Sequence, residues 1–204
     1  MNRPLVVDDI EDLRSYERGR DEYRRRIIEL KRRRRVAVGP IVTLVFENRE
    51  TVRFQVQEMA RAERMVTDEQ VQGELDVYNA LLPTAGELSA TMFIELTDEA
   101  ALREWLPKLV GVERSLELRI GSGADGSPDD AAVAPGVPEA THEQALTRPT
   151  MTASVHYVRF GVTPEQATRF AEGPVVVAVV HPDYRHETVL SDETRAELLT
   201  DLQG

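Results

Sequence analysis

Between Tyr16 and Asn79 the chain places charge where a packed core should lie, and that conflict restricts what it can fold into. The block opens on Arg24-Arg25-Arg26 and the run Lys31 to Arg35, passes through the apolar run Ile41 to Phe46, and continues into Glu47-Asn48-Arg49. At helical period, Asp21 to Arg35 sets Tyr23, Ile27 and Leu30 on one stripe and gathers Arg24, Arg25, Lys31, Arg32 and Arg35 on the opposite face. Arg34 falls on the apolar stripe itself. A charge in that position must be paired, because stripping its water without compensation costs several kcal/mol.

Charge is spread unevenly. The 204 residues carry a net charge of -11, yet residues 1–35 hold 12 Lys/Arg against 8 Asp/Glu. The acidic remainder repels phosphate at long range and disfavours nucleic acid as a partner. With 41% hydrophobic and 30% charged residues, the composition is that of an ordinary globular protein able to bury a sizeable core. The uncharged stretch Gly173 to Val180 is far too short to span a bilayer, and Asp8, Asp9 and Glu11 interrupt any signal-peptide core. A cytoplasmic location is therefore expected, with no membrane partner. The absence of cysteine removes thiol nucleophiles, disulfides and thiolate-held metal clusters.

Periodicity and punctuation give the element order. A first helix is expected from Asp8, with Glu11 completing a capping box and Gly19 breaking it. A buried strand follows at Ile41 to Phe46, then helices from Arg49 to Val66 and from Thr67, where Gln70 supplies a second box. Strands are expected at Leu88 to Leu96, Ser115 to Ile120, Met151 to Phe160 and Val175 to Val180. Helices are expected at Asp98 to Leu109, after Thr163-Pro164-Glu165-Gln166, and at Ser191 to Leu202. Residues 121–149 carry four Gly and four Pro, which reads as a flexible loop. The order from Leu88 onward, β-α-β then β-α-β, is that of a ferredoxin-like split βαβ sandwich. The fold class expected is α+β, with that sandwich over residues 86–204 and an N-terminal charged helical layer with one extra strand over residues 1–85.

Three constellations are candidates for function. Arg24, Arg25, Arg32 and Arg35 form a basic face suited to carboxylate or phosphate, although a solvated face paired with Glu22 and Glu29 explains the same residues. Glu47, Asn48, Gln55, Glu58 and Glu63 are candidates for a pocket between the two halves. Glu63 projects into an apolar face, where pairing with Arg34 would fix how two helices dock. His156 and His181, with His186 or Glu187, offer a metal set, but no local motif such as H-E-x-x-H supports it, and sheet-edge histidines explain them equally. No cofactor is expected.

Several polar words in order carry a resemblance. They are Phe46-Glu47-Asn48-Arg49-Glu50-Thr51, Gln55-Val56-Gln57-Glu58-Met59 with Arg61 and Glu63, Gly86 to Glu95, Val155 to Phe160, and His181-Pro182-Asp183-Tyr184. Together they resemble the bacterial domain-of-unknown-function family 3501 over nearly the whole chain. The resemblance implies no catalytic residues. It does imply a redox or oxidative-stress setting, since members are often encoded beside rubrerythrin and a cysteine-rich iron–sulfur oxidoreductase. A chain without cysteine would serve there as a non-enzymatic accessory, docking an acidic protein partner through the arginine face. A small-ligand or metal-binding enzyme is the alternative, and a homo-oligomer formed by strand pairing is open under both.

Overall fold

The computed structural model describes residues 3–121, 132–140 and 150–203. Eight antiparallel strands form one sheet in the order β1-β2-β3-β6-β5-β4-β7-β8. They are β1 (Arg35–Val38), β2 (Val42–Glu47), β3 (Glu87–Ile94), β4 (Leu116–Ile120), β5 (Ala132–Pro138), β6 (Val155–Gly161), β7 (Val175–His181) and β8 (Tyr184–Val189). The described helices are α1 (Leu13–Arg34), α2 (Arg49–Ala62), α3 (Asp68–Tyr78), α4 (Glu99–Lys108), α5 (Pro164–Glu172) and α6 (Asp192–Gln203).

This architecture overturns the ferredoxin-like expectation. In a split βαβ sandwich each helix crosses between strands of one four-stranded sheet. Here β3 and β4, joined by α4, are separated by both β6 and β5, and β1, β2 and β8 extend the same antiparallel sheet to eight strands. The sheet curls until its two ends meet. The Tyr184 hydroxyl donates to Val38 O at 2.7 Å and accepts from Ile41 N at 3.1 Å, while the Thr188 hydroxyl donates to Ala37 O at 2.7 Å. The result is a nearly closed barrel whose last seam is bridged by side chains rather than a strand ladder.

Alternation along the strands explains the closure. Val42, Leu44 and Phe46 of β2 face inward with Leu88, Ala90 and Met92 of β3, Leu116 and Leu118 of β4, Val158 and Phe160 of β6, and Val175 and Val177 of β7. These side chains fill the interior, as an eight-stranded barrel requires. Phe170 of α5 with Leu198 and Leu202 of α6 joins this core from one end. At the other end Trp105 and Leu106 pack against it, and Thr152 N donates to Leu106 O at 3.1 Å. A second cluster, Val52, Val56, Leu75, Leu81 and Leu82 with Leu5, lies between the helical layer α1–α3 and the outer face of the sheet.

The caps expected at Thr67 and Thr163 form, accepting from Gln70 N and Gln166 N, and Asn48 caps α2 by accepting from Thr51 N, a role not read from the sequence. The first helix differs from expectation: residues Val7–Asp9 make a 3₁₀ turn, Asp12 caps α1, and α1 runs straight through Gly19. A helical glycine costs only about 1 kcal/mol, which the packed stripe of a 22-residue helix absorbs. Within the segment expected to be a loop, β5 occupies Ala132–Pro138, while residues 122–131 and 141–149 lie outside the described residues.

Candidate functional site

The basic end of α1 is wired into the fold. Arg34 is fully buried: Nε donates to Phe46 O at 2.8 Å, one terminal nitrogen to Glu197 at 3.0 Å, and the other to Glu47 O at 3.3 Å and to Asp201. Arg33 reaches Glu197 at 3.2 Å, and Arg32 reaches Glu29 at 2.9 Å and Glu193 at 3.1 Å. Arg35 pairs with Glu95 of the segment after β3. Near the other end Arg20 holds Glu58 through two bonds, 2.8 and 2.7 Å, while the Tyr16 hydroxyl donates to the same carboxylate at 2.5 Å. The Arg20 guanidinium beside it holds the Glu58 carboxyl below the usual carboxylate value. Burial is the larger cause, and the Glu58 carboxylate the second, that pushes the Tyr16 phenol up.

Four cations nevertheless surround one exposed apolar side chain. Ile28 is 56% exposed, and helical spacing puts Arg24 and Arg25 one turn before it and Lys31 and Arg32 one turn after. Among the described residues, Arg24 and Lys31 have no carboxylate partner, and Arg25 donates only to Asp21 O within its own helix. Of the four arginines expected to form a basic face, Arg24 and Arg25 thus remain open, while Arg32 and Arg35 are already bonded to carboxylates of the same chain.

The five pocket candidates are dispersed. Glu47, Asn48 and Gln55 meet where β2 enters α2. The Glu47 carboxylate is 1% exposed and accepts from Gln55 Nε2 at 3.0 Å, the Thr91 hydroxyl at 2.7 Å and the Thr51 hydroxyl. These partners are uncharged, and the electropositive start of α2 lies beside the carboxylate. Burial and the Glu47 charge push the Tyr157 phenol up. Glu58 faces Tyr16 and Arg20 instead, and Glu63 is exposed at the C-cap of α2. The expected Glu63–Arg34 pair does not form, because Arg34 turns toward α6.

His156 and His181 both lie at the α4 end of the barrel, on strands separated by β5 and β4. His156 Nε2 bonds the Thr152 hydroxyl at 2.8 Å and Ala153 O at 3.0 Å. His181 Nδ1 accepts from Asp183 N at 3.2 Å, so its Nε2 carries the proton toward Val110 O, also at 3.2 Å. The His186 ring packs tilted against Tyr184 with centroids 4.4 Å apart, and Glu187 bonds Arg119 at 2.9 Å. Among the described residues, no group of three or more His, Asp or Glu is placed to hold a metal ion.

A family model described as "Protein of unknown function (DUF3501)" matches residues 4–202. The chain belongs to this family. The crystal structure of a novel protein of unknown function from Burkholderia pseudomallei K96243 is 30% identical to this DUF3501 chain, covers 98% of it and 100% of its own length, and superposes with a TM-score of 0.85. No curated protein matches.

In this DUF3501 protein the residues missed from sequence are Glu95, Glu197, Asp201 and Ile28. The three carboxylates carry no local signal, since each meets its arginine across a long stretch of chain. Ile28 was visible: it breaks a run of charge on the helix face opposite Tyr23, Ile27 and Leu30. No described helix is long and apolar enough to cross a membrane.

Proposed function

We propose that this protein is a non-enzymatic accessory that docks an acidic protein partner through the face of α1 centred on Ile28. The observation that carries the reading is the ring of Arg24, Arg25, Lys31 and Arg32 around an isoleucine left 56% exposed, on a chain of net charge -11. Four cations framing one apolar side chain complement a partner segment that presents carboxylates around an apolar pocket. The ring charges steer association, and the isoleucine supplies the desolvated contact. The acidic remainder of the molecule argues for a protein partner over nucleic acid. A redox protein is the partner class that the family resemblance implies.

The test is recovery from the native host with wild-type protein, an Arg24→Glu/Lys31→Glu variant and an Ile28→Ser variant as bait. These side chains hold no ion pair among the described residues, so thermal stability should stay within about 0.5 kcal/mol of wild type. Loss of one acidic partner by at least tenfold in both variants is expected. Equal recovery with all three baits contradicts the reading.

A further inference from the structure

A groove of about 380 Å³ lies between the N-terminal segment and the connection from α2 to α3. That is near the lower end of small-molecule pockets, roughly 300–1,000 Å³. Val7, Ile10 and Leu13 form one wall, and Met65, Val66 and Val71 line it from the other side. Arg64 turns the chain with a φ of 54°, after which Met65 is buried and Val66 stands 81% exposed at the rim. A valine this bare beside apolar walls gains from any apolar group that seats there.

Two opposite charges share the same lining: Arg14 in the first turn of α1 and Asp68 in the first turn of α3. Neither side chain has a bonded partner among the described residues. The other carboxylates of the lining are engaged, Asp12 in accepting from Arg14 N and Ser15 N, and Glu11 with Arg53 at 3.4 Å. We infer that this groove binds a free amino acid with an apolar side chain, of the size of leucine or phenylalanine. The side chain rests on the valines, the carboxylate meets the Arg14 guanidinium and the ammonium meets Asp68. An apolar acid without an amine leaves Asp68 unanswered and brings a like charge to it. An apolar amine without a carboxylate leaves Arg14 unanswered. The site uses none of the residues around Ile28, so it stands or falls independently of partner docking.

Equilibrium dialysis of the full chain with labelled leucine and phenylalanine tests the assignment. Saturable one-to-one binding is expected, with glycine, leucinamide and 4-methylpentanoate each competing at least tenfold more weakly than leucine. Arg14→Ala should weaken leucine at least tenfold and leave leucinamide unchanged. Absence of saturable binding, equal competition by any of the three analogues, or unaltered leucine binding by Arg14→Ala overturns the inference.

Discussion

Arg34 is tolerated at the centre of the molecule because its guanidinium meets oxygens from Phe46, Glu47, Glu197 and Asp201 at once. Removing it strands carboxylates without a counter-charge, so Arg34→Ala should cost about 3–5 kcal/mol in urea denaturation. Replacing Arg34 by Met together with Asp201 by Leu should cost less than that single change, since Glu197 keeps Arg33 and no buried charge is orphaned. Helical period alone marked Arg34 as needing a partner. It could not name one, because Glu197 and Asp201 lie 163 and 167 positions away. Glu63 was the nearer guess and faces solvent. The Tyr16–Glu58–Arg20 set supplies a pH test. With its folded value lowered chiefly by the Arg20 bond, Glu58 stabilises the fold above its ordinary value of 4.5, and that contribution is lost as pH falls through the folded value. Wild type and Glu58→Gln should therefore differ in stability near neutrality and converge in acid. Asp201, raised by burial from 3.8, has the opposite sign: its contribution is present below that value and is lost as pH rises through its folded one.

Among the elements, those with strong local chemistry were legible and those without it were not. Thr67 and Thr163 announce their helices by caps, and β2, β3 and β7 announce themselves by apolar, β-branched runs. Three strands escaped for separate reasons. Arg35–Val38 begins inside an arginine run that continues the helical pattern of α1. Ala132–Pro138 contains Pro135, Gly136 and Pro138, which mark turns in most settings. Tyr184–Val189 is largely exposed and polar, so it lacks an apolar signature. Without them the remaining strands and helices fit a split βαβ order, and the barrel was invisible. The seam between β1 and β8 gives a test at this scale. Gly39 adopts a φ of 76°, and a Cβ there would fall 2.4 Å from His186 Cγ and 2.5 Å from the Tyr184 hydroxyl. Gly39→Ala should destabilise the protein by roughly 1–3 kcal/mol, with faster amide exchange in β1 and β8 than in β3 and β6. Equal acceleration across all strands would contradict a local latch.

For the whole molecule, the layout of charge divides into an inner and an outer part. Arg20, Arg32, Arg33, Arg34 and Arg35 bind α1 and β1 to carboxylates elsewhere in the chain, including α2 and α6, and Arg61 of α2 returns the bond to Glu17 of α1. On the second half of α1, what remains available among the described residues is narrower than the arginine content suggests: Arg24, Arg25 and Lys31, with partly engaged Arg32, around Ile28. Photo-crosslinking in the native host measures the use of that face most directly. A crosslinking residue placed at Ile28, 56% exposed, is compared with one at Val137 on β5, 57% exposed. Adducts to a single acidic protein from position 28, lost in the Arg24→Glu/Lys31→Glu background and absent from position 137, are the predicted result. Equal adduct patterns at the two positions, or none above background at position 28, would contradict docking through α1.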